Sequence, residues 1–116
     1  MTTNLATDSV IPTDGVVFYN LDKVRFIMKD ATGLDVAYAY QDLVFADNAV
    51  FIIQFDGVNA DEYNCYFNQE CVEANRITLL ASLHASAELN KAVIHYKGKF
   101  ELLLENNAET FGIRFL

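Results

Sequence analysis

Two histidines and two cysteines are the side chains of this 116-residue chain best suited to acid–base, nucleophilic or metal chemistry. His84 falls in a helical stretch at the margin of an apolar stripe, four residues after Leu80. His95 sits in a strand-like run between Ile94 and Tyr96. A zinc site needs ligands at close paired spacings, and a catalytic imidazole needs a nucleophile in a recognisable turn; neither pattern surrounds either histidine. Both read as ordinary, partly buried histidines, with a ligand or catalytic role as the functional alternative. Cys65 alternates with Tyr63 and Phe67, the pattern of a small core hydrophobe, and no spacing brings an imidazole beside it to form a thiolate. A Cys65–Cys71 disulfide is geometrically conceivable across a strand–helix junction. Two cysteines are nevertheless too few for a disulfide framework, and a reducing, cytoplasmic setting is expected.

Phosphate and cation chemistry fare no better. The five glycines stand at positions 15, 33, 57, 98 and 112, never closer than fourteen apart, so no dinucleotide fingerprint or phosphate-cradling loop can be written. Residues 56–62 bring Asp56, Asn59, Asp61 and Glu62 into one loop, a ligand density that a hard cation uses, but without EF-hand spacing; turn formation and solvation account for the same residues. No catalytic residue, metal site or cofactor is assigned.

Residues suited to binding remain. Lys23, Arg25 and Lys29 put three of the chain's eight basic residues into one short helical stretch. Arg25 and Lys29 share a helix face, and Phe26 lies outside the apolar stripe; packing of Phe26 under the N-terminal segment or the loop after Gly57 is the favoured expectation, with an exposed aromatic beside positive charge as the binding alternative. Tyr38 and Tyr40 fall on one side of a strand. If they share a sheet face with Val50 and Ile52, that face is too apolar to stay wet and requires a helix, a ligand or a second subunit to cover it. Arg25, Phe26, Lys29, Tyr38, Tyr40, His84 and His95 are therefore the candidate binding residues.

These residues need a framework, and hydrophobic periodicity supplies one. Residues 1–15 carry no periodicity and read as a flexible leader to a single domain over 16–116. Strands are expected at 16–19, 36–45, 49–55 and 63–68, then at 92–96, 99–105 and 110–116, with tight turns at Lys97-Gly98 and Asn106-Asn107. Leu21, Val24, Ile27, Met28 and Ala31 recur at three- and four-residue spacing and define a first helix, capped by Asn20 and stopped by Gly33. Asn68 is a candidate cap for a second helix, with Val72, Leu79, Leu80, Leu83 and Ala87 as its stripe and Asn90 near its end. The order β-α-β-β-β-α-β-β-β predicts an α+β domain: a mostly antiparallel sheet in two meanders, with both helices packed on one face. The run 49–55 is apolar on both sides, as a central strand would be. The last strand is expected at a sheet edge, guarded only by Arg114.

Apolar residues make up 53% of the chain, enough for one core, and sixteen acidic against eight basic residues give a net charge of −8. That charge repels phosphate backbones and anionic membranes, which argues against nucleic-acid or membrane partners. The longest wholly apolar run, 49–53, is too short to span a bilayer, and the first residues form no export signal. The leading expectation is a non-enzymatic protein-interaction module of adaptor, inhibitor or chaperone-like kind, with another protein as partner. A basic surface would suit its charge, and self-association through the sheet face or edge is expected. The alternative is a small-molecule binder or cryptic enzyme with a tyrosine-lined pocket between sheet and helices, using His84, His95 or Cys65. An acidic mimic of nucleic acid is a third reading.

Overall fold

The computed structural model describes residues 20–104 and 111–116. Its elements in chain order are α1 (Leu21–Thr32), β1 (Val36–Tyr40), β2 (Leu43–Ala46), a 3-10 turn (Asp47–Ala49), β3 (Phe51–Phe55), β4 (Glu62–Asn68), α2 (Glu73–Leu89), β5 (Val93–Leu104) and β6 (Phe111–Phe115). The six strands form one sheet in sequential order β1-β2-β3-β4-β5-β6. Every pairing is antiparallel except β4 with β5, which is parallel. The domain is thus α+β, as the alternating periodicities predict. The expected strand 16–19, the leader 1–15 and the turn at Asn106-Asn107 lie outside the described residues.

α1 begins and ends on the residues that its sequence nominates. The Asn20 side chain accepts from the Lys23 backbone N–H at 3.0 Å. Gly33 closes the helix at φ 77°, a left-handed conformation that costs glycine nothing, and its N–H returns to the Lys29 carbonyl. Val24, Ile27 and Met28 are buried along the predicted stripe. α2 begins later than expected. The Asn68 side chain takes the Glu70 N–H and donates to the Ala49 carbonyl, so it shapes a turn and caps no helix; the first helical residue is Glu73, after Val72. Asn90 ends α2 as predicted.

Three corrections concern the strands. The run 36–45 is a hairpin and not one strand, since the chain reverses at Gln41-Asp42 and Tyr40 pairs with Leu43. Gln41 adopts φ 55° there, and with no glycine, asparagine or proline at the turn the alternation of the residues hides it. Conversely, Lys97-Gly98 does not turn. β5 runs straight through, with an irregularity at which Cys65 pairs with Tyr96 and Tyr66 pairs with Gly98. Gly98, at φ 137°, absorbs the extra residue in a conformation that L side chains rarely adopt. The result is one four-stranded meander, β1 to β4, joined through α2 to β5 and β6, in place of two three-stranded ones.

Both helices pack on one face of the sheet. There Val44, Phe51, Ile53, Phe55, Tyr63, Cys65, Phe67 and Ile94 from the strands meet Val24, Ile27 and Met28 of α1 and Leu83 and Ala87 of α2. Each large side chain fully buried in this way contributes about 1.5–3 kcal/mol. Phe51 and Phe67 sit opposite each other across β3 and β4 with ring centroids 5.4 Å apart, and Tyr63 meets Phe55 edge-on at 5.8 Å. The helices are joined by a hydrogen bond from the Ser86 hydroxyl to the Asp30 carboxylate at 2.9 Å, and Ser86 is the buried polar residue of this layer. β3 is also buried from its other side by Ile52, so the doubly apolar run is a central strand as predicted.

Tyr63 is almost wholly buried, yet its hydroxyl has no hydrogen-bond partner among the described residues. The adjoining crevice, lined by Val24, Ile27, Met28, Ile53 and Ile94, is too narrow for a water molecule. A buried hydroxyl without a partner costs about 1–3 kcal/mol. Tyr63→Phe is therefore expected to leave stability unchanged or raise it by about 1 kcal/mol in a urea titration, in contrast to the usual loss on truncating a buried residue. A loss of about 2 kcal/mol or more would show that the hydroxyl is hydrogen-bonded after all.

Candidate functional site

The face of the sheet away from the helices carries a second, smaller apolar cluster. Phe45, Ile52 and Phe100 are buried there, with Leu43, Ala49, Tyr66 and Ile113 packed around them. Strand alternation dictates the membership. Phe45 of β2 and Ile52 of β3 are register partners, as are Ile52 and Tyr66 of β4. In β5 the irregularity at Gly98 matters: it shifts the alternation by one residue, so that Phe100 points away from the helices although Ile94 and Tyr96 point toward them.

Exposed aromatic residues flank this cluster on both sides. At the β1 edge Tyr38 and Tyr40 stack nearly parallel, with centroids 6.4 Å apart, and Tyr38 leans on Phe45 at 5.7 Å. They remain 51% and 54% exposed. At the β6 edge Phe115 lies 4.4 Å from Tyr66 and is 43% exposed. The tyrosines thus share a face with Ile52, as anticipated, but Val50 joins the core on the helix side.

Below the apolar band runs a polar one. Gln54 of β3, Asn64 of β4 and His95 of β5 are successive register partners across three strands. The Gln54 amide donates to the Asp42 carboxylate at 3.1 Å, and its carbonyl oxygen accepts from Asn64 at 3.3 Å and from the Tyr66 hydroxyl at 3.5 Å. His95 Nε2 lies 3.0 Å from a Glu62 carboxylate oxygen. Asp42, Gln54, Asn64 and Tyr66 thus satisfy one another at half-buried positions, and Glu62 and His95 form a separate pair at the exposed end of the band.

The other candidate residues do not join this face. Arg25, Phe26 and Lys29 lie on the exposed side of α1, and Phe26 is 57% exposed, so the favoured expectation that it packs under a neighbouring segment is not met and the aromatic stands at the surface beside positive charge. Lys29 is engaged with Asp35 at 3.2 Å. His84 on α2 and His95 on β5, read from the sequence as partly buried, are both exposed and stand on separate elements. In the loop 56–62, Asp56 accepts the Val58 and Asn59 N–H groups, Asp61 pairs with Lys23 and Glu62 contacts His95. Among the described residues no three His, Cys, Asp or Glu side chains form a group that could hold a metal ion.

A concavity of about 590 Å³ does exist where the helices meet the end of the sheet. Its walls come from the end of α1, the 3-10 turn, the β4–α2 connection and the first turns of α2. The residues proposed for such a pocket from the sequence, the tyrosines with His84, His95 and Cys65, are not among those lining it; Cys71 is. Sequence reasoning missed this site because its walls are loops and helix ends without periodicity. The three asparagines at 48, 68 and 75 were its only signal.

No protein-family model matches the chain, and comparison with curated proteins and with solved structures finds no significant match. No helix among the described residues is long and apolar enough to cross a membrane.

The cysteines differ in a way that can be measured. Both are free; Cys65 is buried, and burial pushes its thiol up to about 12, while Cys71 is half-exposed. Tyr63 is raised as well, by burial first and by the nearby Asp61 carboxylate second. One thiol of the folded chain is expected to react with Ellman's reagent at pH 8, and both after unfolding in urea. A buried thiol held neutral favours the folded state fully only below its unfolded value of about 8.5, and that contribution disappears as pH rises toward about 12. Stability should therefore fall above about pH 9, and Cys65→Ala should flatten the fall.

Proposed function

We propose that the chain is a non-enzymatic protein-interaction module whose helix-free sheet face associates with the same face of a second copy. The observation that carries this reading is the distribution of charge over that face. Its described strand positions, from Tyr38 through Leu43, Phe45, Ile52, Gln54, Asn64, Tyr66, Phe100 and Leu102 to Ile113 and Phe115, are apolar, aromatic or neutral. The carboxylates at this face are Glu62, which stands against His95, and Asp42 of the β1–β2 turn, which accepts from Gln54. Among the described residues the remaining carboxylates lie on the helices, in loops, or, for Glu101, at the β5 position next to Phe100 that alternation turns to the other face, so two copies meeting through this face keep most of these like charges apart.

Exposed tyrosine and phenylalanine beside a buried apolar centre is the composition of an interface core, and a self-complementary sheet face suits a two-fold contact. The lack of catalytic spacing in the sequence and the mutual satisfaction of the polar band agree with a binding role. A basic protein partner is the competing occupant.

Sedimentation equilibrium tests the reading. The chain is expected to form a two-chain species, and Tyr38→Glu or Phe115→Glu, one at each edge strand, should weaken it about thirtyfold or more, the ~2 kcal/mol of an interface hot spot. Ile77→Glu on the exposed side of α2 should leave it unchanged. A chain that stays monomeric up to about 1 mM, where association would be worth only about 4 kcal/mol, overturns self-association. A dimer indifferent to both glutamates overturns the choice of face.

A further inference from the structure

The groove on the helix side is separate from the sheet face and has a chemistry of its own. The fully buried residues of α2, Leu83, Ser86 and Ala87, lie in its second half, and its first turns, held to the sheet by half-buried Leu79 and by Arg76 over the Tyr96 ring, form one wall of the groove. Leu34, Val50 and Leu79 supply aliphatic walls. Between them stand two side-chain amides, Asn48 and Asn75, that have no hydrogen-bond partner among the described residues, whereas the third, Asn68, is spent on Glu70 and Ala49.

The electrostatics narrow what could bind. Among the described residues no lysine, arginine or histidine lines the groove, so an anion finds no counter-charge from them, and the overall charge of −8 repels it. Glu70, the charged residue among the described lining, is exposed, and an exposed carboxylate alone holds a cation weakly. What converges instead is amide donor and acceptor capacity beside aliphatic surface, within a volume typical of small-molecule sites. The start of α2, where Val72 provides no side-chain cap, adds unpaired backbone N–H groups at the same mouth.

We propose that the groove between Leu34, Val50 and α2 is a binding site for an uncharged ligand that joins an amide or hydroxyl group to an aliphatic moiety. The two free asparagine amides pair with its polar group, and the aliphatic walls take the remainder.

Cys71 lines the groove and provides a handle for the test. The intact chain is equilibrated with the disulfides of N-isobutyrylcysteamine, cysteamine and 3-mercaptopropionate, each against 2-mercaptoethanol, and the adducts are weighed by mass spectrometry. These probes are neutral, cationic and anionic. Electrostatics alone ranks the cation first on an acidic chain. The site predicts that the neutral amide is captured about tenfold over both, relative to the urea-unfolded chain, with Cys65 untouched. Asn75→Ala, at an exposed position that does not support the core, should abolish that preference. Equal capture of the three probes, a cation-first order, or a preference unchanged in Asn75→Ala overturns the proposal.

Discussion

The parallel pairing of β4 with β5 governs the rest of this molecule. Antiparallel neighbours can be joined by a tight turn, but a parallel pair requires the chain to travel back the full length of the sheet, and here it does so through α2. That return places α2 beside α1 on one face, where Ser86 and Asp30 join them. It also leaves the opposite face to be completed by strand side chains. The two-layer core, the helix-free face and the groove at the start of α2 all follow from where that crossover lies.

The helix-free face shows how a local backbone irregularity decides surface chemistry. Without the extra residue at Lys97-Gly98, continuous alternation would carry Phe100 onto the helix side, and Ile52 and Phe45 would lose the neighbour that closes their cluster. With it, an apolar band extends from Tyr38 to Phe115, and a polar band from Asp42 to His95 lies beside it. Arg114 and Gln69 both engage Glu101 next to the last strand, so charge near this edge is already paired within the chain.

Much of the fold was legible in the residues. α1 could be read to its caps, because Asn20, the apolar spacing and Gly33 are local signals that tertiary contacts reinforce. The central strand was legible because Phe51, Ile52 and Ile53 leave neither side polar. The helical angle of Phe26 set it off the apolar stripe, but whether a neighbouring segment covers it was not legible. The hairpin at Gln41 was hidden by unremarkable turn residues, and Gly98 was misread because a glycine that relaxes a bulge looks in sequence like a glycine that makes a turn. The start of α2 was misplaced because the Asn68 side chain has two local uses and only the packing of Ala49 and Glu70 selects one.

By itself the sequence determined the class of the domain, the identity of its central strand, the inward placement of Cys65 and the net charge of −8. These depend on periodicity, residue polarity and total charge, which are properties of the chain at short range or in sum. Only the tertiary structure decided that β5 lies parallel to β4, that Phe100 faces away from the helices, and that Asn48, Cys71 and Asn75 line one groove. Those outcomes depend on contacts between residues distant along the chain, whose free energies no local pattern records.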